Sequence, residues 1–137
     1  MSGIAASLRG IDAASDQPGL LAGVDAALDA VRAELAAHTP ALTLAGAWSE
    51  VLRHSVAAAI RVAAPGQPWT WYLSGSVARG EAAPGSDVET MAVLHDDVDD
   101  ATKTVLLARA AEVHAVLDHC GIRGDANGVL ASRPRFC

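Results

Sequence analysis

Leu21, Val24, Leu28, Val31 and Leu35 recur at alternating steps of three and four. That spacing predicts one apolar stripe along a helix. It also matches a heptad seam, but over only about two heptads, too few for a coiled coil. The stripe is expected to pack on its own domain or on a partner helix, so the N-terminal helices are a candidate surface for a homo-oligomer. His38, Thr39 and Pro40 end this helix. Residues 1–18 end in Asp-Gln-Pro and show no such stripe. They are read as a loose leader with room for one helical turn. A second helix is predicted over 41–64, with Leu44, Trp48, Val51, Leu52, Val56 and Ile60 on one face and His54 and Ser55 near its edge. The run Pro65-Gly66-Gln67-Pro68 stops it, because two prolines and a glycine deny helical continuation.

From Trp69 the period drops to two. Trp69, Trp71 and Leu73 alternate with Thr70, Tyr72 and Ser74, the pattern of a strand. A turn over 75–86 follows, with room for a short helical turn around 77–81. Residues 87–94, DVETMAVL, read as a second strand. Val88, Thr90, Ala92 and Leu94 then face a core, and Asp87 and Glu89 share the opposite face. The run HDDVDD supplies helix-start chemistry, with Asp97 as N-cap and Asp99 and Asp100 in the first turn. The helix that follows carries Val105, Leu106, Ala110, Val113, Val116 and Leu117 and ends near Gly121. Residues 129–131 could add a short strand. The order predicts an α+β fold, a small mixed sheet with flanking helices, preceded by a helical hairpin. The expected organisation is a leader (1–18), a helical segment (19–66) and a core (67–137).

The chain of 137 residues fits one domain, and 51% of it is apolar, much of that alanine. The core must therefore lean on scattered Leu, Val, Ile and three Trp. The net charge is -6 and no two Lys or Arg are adjacent, which argues against general nucleic-acid binding. Cys120 and Cys137 form no metal-ligand spacing and read as free thiols. The first residues lack the charged and apolar regions of a signal peptide, and no window suits a membrane span. A soluble, cytoplasmic protein with no membrane contact is expected. His114 and His119, five apart on a helix, do not share a face, and His95 reads as a loop residue.

The chemistry concentrates in residues 74–94. Two like charges as close as Asp87 and Glu89 repel, and a cation between them relieves the repulsion. Hard divalent ions favour carboxylate oxygens together with substrate phosphates. The pair is a candidate metal clamp. The alternative is a half-exposed edge strand whose polar face carries two acids. Gly75 and Ser76 come straight off the end of the first strand. Glycine lets the backbone approach a ligand, and successive N–H groups with the Ser76 hydroxyl can cradle phosphate oxygens. Neither a Walker loop nor a dinucleotide fingerprint is present.

Leu73, Gly75, Ser76, Asp87, Val88 and Glu89, in that order, resemble the signature of the DNA polymerase beta-type nucleotidyltransferase superfamily. The wider run GSVARGEAAPGSDVE, with Cys120-Gly121 and GVLASRP from Gly128 to Pro134, resembles its bacterial PII-uridylyltransferase-like branch. That branch is often fused to CBS and cyclic-nucleotide-binding domains, which implies a place in signal transduction. The resemblance covers roughly residues 41–134. Short antitoxin-type relatives are similar in their GSxARGxAxxxSDxD pattern.

The resemblance implies that Asp87 and Glu89 ligate Mg²⁺ (or Mn²⁺) as the catalytic pair, while Gly75 and Ser76 hold a nucleoside triphosphate. Arg79 would neutralise phosphate charge or pair with Glu81. Ser86 would cap the start of the strand or bond a ligand oxygen, and the first is favoured. The metal would orient the α-phosphate for attack by a hydroxyl of an unknown acceptor, a protein or a small molecule. Three departures stand out. The second acid is Glu where the branch usually has Asp. A third carboxylate is normal in the superfamily, and the candidates here, Asp118 and Asp125, read as helix surface and turn. The family usually continues into a helical segment beyond the point where this chain ends. The two expectations are a metal-dependent nucleotidyltransferase and, as the alternative, a catalytically inactive relative serving as a sensing or protein-interaction module.

Overall fold

The computed structural model describes residues 1–137. Residues read as a loose leader form a helix instead, α1 (Ser2–Ala13). Its Ile4, Ser7 and Ile11 are buried. Gly23 makes this possible: a Cβ there would sit 2.8 Å from Ile11 Cγ1, so only glycine lets α1 come this close. Arg61 then caps the free carbonyls at the end of α1, donating to the oxygens of Ile11 (3.2 Å) and Ala14 (2.9 Å).

Asp16 opens α2 (Gln17–Ala36) by accepting the Gly19 N–H at 2.8 Å, with Pro18 in the first turn. Its buried positions are Leu20, Gly23, Val24, Ala27 and Val31. Leu21 and Leu28 lie only at the edge of the core and Leu35 is exposed. Gly23 and Ala27 let the helix axes approach, so Leu20, Val24 and Val31 fill the contact while Leu21, Leu28 and Leu35 fall towards the rim.

After His38, at φ 62, the chain turns into α3 (Ala41–Ala63). Leu44, Trp48, Val51, Leu52 and Val56 are buried along it as the sequence pattern predicts. Strand β1 (Trp69–Ser74) leads directly into a one-turn helix, α4 (Gly75–Ala78). Strand β2 (Glu89–Leu94) pairs antiparallel with β1, from Trp69 opposite Leu94 to Ser74 opposite Glu89. Helix α5 (Asp100–His119) covers the same core, burying Leu106, Ala110, Val113 and Leu117.

Its N-cap is Asp99, which accepts the Thr102 N–H at 2.7 Å, not the expected Asp97. Hydrogen bonds from Thr102 hold the Asp99 carboxyl below its usual range. Val98 packs against the core, and the turn it anchors delays the helix by two residues. The expected strand at 129–131 is replaced by isolated bonds: Thr90 N–H to Val129 O (3.1 Å), and a parallel bridge of Val88 with Gly124. A turn breaks the ladder, with Asp125 accepting from Gly128 and Val129 and Gly128 at φ 85. The fold is α+β, a two-stranded antiparallel sheet flanked by five helices. No helix is long and apolar enough to cross a membrane.

Candidate active site

Residues directly opposite in an antiparallel pair share a face. Ser74 and Glu89 are such a pair, followed by Tyr72 with Met91 and Thr70 with Val93. Val88 and Thr90, the alternate residues of β2, are fully buried, while Asp87 and Glu89 are half-buried. Asp87 and Glu89 therefore lie on the same outward face, as their one-residue spacing predicts.

The junction of β1 and α4 explains the Gly-Ser sequence. Ser74 is extended, and Gly75 flips to φ 69 to start the helical turn. A Cβ on Gly75 would lie 2.9 Å from both Cδ and Oε2 of Glu89. Glycine is needed twice at this position, for the backbone angle and for the carboxylate lying against it. The Ser74 hydroxyl donates to Glu89 Oε2 at 2.8 Å and fixes the carboxylate in place. The Gly-Ser turn and the second acid are thus in contact across the sheet, although 14 positions separate Gly75 from Glu89.

The other expected residues divide. Ser76 is half-buried in the first turn of α4, and its carbonyl accepts the Glu81 N–H at 2.9 Å. Arg79 pairs with Glu81 at 2.9 Å, both side chains exposed. Ser86 closes the turn that precedes β2: its hydroxyl accepts the Ala83 N–H, and its own N–H returns to the Ala83 carbonyl, both at 2.9 Å. The loop is pinned from below by Ser49 of α3, whose hydroxyl takes the Ala82 N–H at 3.0 Å. Asp118 is exposed on α5. Asp125 lies beside Val88, but one carboxylate oxygen already accepts the Val129 N–H at 3.0 Å. No group of three or more His, Cys, Asp or Glu side chains is placed to hold a metal ion.

Two partners escape a reading of the sequence. Ser74 looks like an ordinary strand residue until the register sets it opposite Glu89. Arg123 reaches Asp87 at 3.7 Å from a loop 36 positions away, and nothing local signals that. His95 stays in an exposed loop, its N–H bonded to the Pro68 carbonyl. His114 lies behind the sheet, not in the site. Its Nε2 is 2.8 Å from the Thr90 hydroxyl, which also accepts the Ala131 N–H at 2.9 Å. Burial pushes the His114 ring below its ordinary value. Cys120 and Cys137 are free, and burial pushes both thiols up.

Helices behind a small sheet, a strand running into a Gly-Ser turn, and an Asp-Val-Glu strand beside it define a nucleotidyltransferase-like α+β domain. The chain belongs to the family described as "Putative nucleotidyltransferase DUF294", whose model matches residues 26–137. No curated protein and no solved structure matches the chain.

Proposed function

We propose that this domain transfers a nucleoside monophosphate from a nucleoside triphosphate to an acceptor hydroxyl, breaking the α–β phosphoanhydride bond and releasing pyrophosphate, with a divalent metal ion held by Asp87 and Glu89. One observation carries the reading: the Glu89 carboxylate lies against Gly75, where no side chain fits, on the face it shares with Asp87. Two carboxylates suit Mg²⁺ or Mn²⁺, which take one or two acids and complete their shell with water and substrate phosphates. The bound ion would neutralise charge on the phosphates and orient the α-phosphate.

The chain's own contribution is positioning, as in phosphoryl transfer generally. Gly75 and Ser76 present main-chain N–H groups at the end of β1, and the Ser76 hydroxyl adds a donor. Ser74 holds Glu89 in one orientation. Arg123 sits close enough to Asp87 to balance its charge before nucleotide arrives. Arg79 is exposed and can exchange Glu81 for phosphate.

A second reading has its own support. The acceptor hydroxyl must lose a proton, and neither Asp118 nor Asp125 stands free beside the pair to take it. An apolar groove of about 390 Å³ lies between α2, α3 and the loop before β2, lined by Leu28, Val31, Leu35, Leu44 and Pro84 among others. Both features suit a catalytically silent sensor that binds nucleotide and associates through its N-terminal helices. Calorimetry with ATP and Mg²⁺ tests the shared part: binding should need the metal and disappear in Asp87→Ala and Glu89→Ala. Transfer of label from α-labelled triphosphate to any protein or small acceptor selects the enzyme. Binding without transfer selects the sensor, and unimpaired metal-dependent binding in both variants rejects the clamp.

A further inference from the structure

The outward face of the sheet does not end at the carboxylates. Strand rise is about 3.3 Å per residue, so Tyr72 lies roughly 7 Å from Ser74 along β1 on the same face. Tyr72 is 53% exposed, its ring makes no hydrogen bond, and its cross-strand partner is Met91. A single exposed tyrosine is ordinary on a protein surface; what marks Tyr72 is its place two residues from Ser74, on the face that carries the carboxylates.

Beside Tyr72 is a cleft of about 320 Å³, lined by Arg53, Trp71, Tyr72, Leu73 and Ala78. It lies between the outer edge of β1 and α4, and two of its lining residues, Leu73 and Ala78, flank the Gly75-Ser76 turn along the chain. Arg53 forms one wall, reaching from α3 to within 3.5 Å of the Ala78 carbonyl. The sheet has only β1 and β2, so nothing pairs with this edge. The His95 N–H bonds the Pro68 carbonyl, which sets the alternation of the ladder. Residues 70, 72 and 74 therefore turn their main-chain groups towards β2, and Trp71 and Leu73 turn theirs outward into the cleft.

The cleft thus offers a tyrosine, a guanidinium, and a row of free N–H and C=O groups on the strand that leads into the candidate phosphate end. Flat heteroaromatic ligands use that combination: the ring stacks, and its edge exchanges hydrogen bonds with main chain. We propose that this cleft takes the nucleobase of the donor nucleotide, stacked on Tyr72 and bonded along its edge by the main chain of Trp71 and Leu73. This rests on the nucleotidyltransferase reading of the carboxylate end. Main-chain groups tolerate more than one base, so stacking area decides the preference, and a purine triphosphate binds more tightly than a pyrimidine one.

The test compares Mg²⁺-ATP with Mg²⁺-tripolyphosphate, which has the phosphates and no base, by calorimetry on the whole chain. Tyr72→Ala should weaken ATP by about 5- to 150-fold, the range of one base–aromatic stack, and leave tripolyphosphate unchanged. Tyr72→Phe should retain ATP affinity, and Tyr72→Leu should lose it like the alanine variant, which separates stacking from mere bulk. Equal ATP affinity in wild type and Tyr72→Ala, with tripolyphosphate still bound, overturns the base site and leaves the carboxylate reading standing. Failure of both ligands to bind wild type overturns the carboxylate reading and the base site with it.

Discussion

Gly75→Ala separates the two reasons for glycine at the end of β1. The first is backbone conformation: Gly75 has φ 69, and an L-residue there costs about 1–2 kcal/mol. The second is the Glu89 carboxylate, with Cδ and Oε2 each 2.9 Å from the new Cβ. A carboxylate can swing aside, but it then gives up the 2.8 Å bond from Ser74, worth about 1 kcal/mol at a partly exposed site. The total is about 2–3 kcal/mol. Gly80 provides the control. Its φ is also 69, and nothing lies within 4 Å of its Cβ position. Gly80→Ala should therefore lose only the backbone part, about 1–2 kcal/mol. Urea denaturation measures both costs. Calorimetry with Mg²⁺-ATP, below the unfolding range, measures the consequence for the site. Gly75→Ala should lose nucleotide affinity with Glu89 displaced, whereas folded Gly80→Ala should bind like wild type. Equal affinity in the two variants would refute the claim that Gly75 exists to seat Glu89.

Other consequences are simpler to state. Ile11→Ala should destabilise the chain by about 2–5 kcal/mol because Ile11 is fully buried; a denaturation midpoint unchanged from wild type would mean that α1 is not part of the fold. Ser74→Ala should change stability by about 1 kcal/mol or less, yet weaken Mg²⁺-ATP several-fold, as calorimetry would show. Burial lowers the His114 pKa, so the unfolded chain takes up this proton first as the solution is acidified. This contribution is neutral above about pH 6.5, the ordinary histidine value, and stability falls as pH drops from there through the lower folded value. The His114 ring signals in an NMR titration should move below the ordinary histidine value; a midpoint at or above it would contradict the burial argument.

The sequence made the site legible where its geometry is local. A one-residue spacing on a strand puts Asp87 and Glu89 on one face whatever the rest of the chain does. The Gly-Ser pair after an alternating run likewise marks a strand end, and α3 shows its core face because bulky residues carry it. What stayed hidden was set by distant partners. Helix α1 has few large apolar residues, and its burial depends on Gly23 of α2 and Arg61 of α3. The buried face of α2 is carried partly by Gly23 and Ala27, so of the apolar stripe only Val24 and Val31 are buried, and Leu21, Leu28 and Leu35 fall towards the rim. Asp99 outcompetes Asp97 as N-cap because Val98 is drawn to the core first. Arg123 meets Asp87 only because the tail bonds to the outer edge of β2. Asp125 reaches the same edge, and its carboxylate is consumed there by a turn.

The proposed transfer requires Asp87 and Glu89 to act together on a metal-bound nucleotide. The most direct measurement is an electron paramagnetic titration of Mn²⁺ in the presence of ATP, comparing wild type with the double variant Asp87→Asn, Glu89→Gln. These substitutions keep shape and remove charge. Wild type should immobilise Mn²⁺ beyond what ATP alone accounts for, and the double variant should not. The same protein-bound signal in both would contradict the central claim.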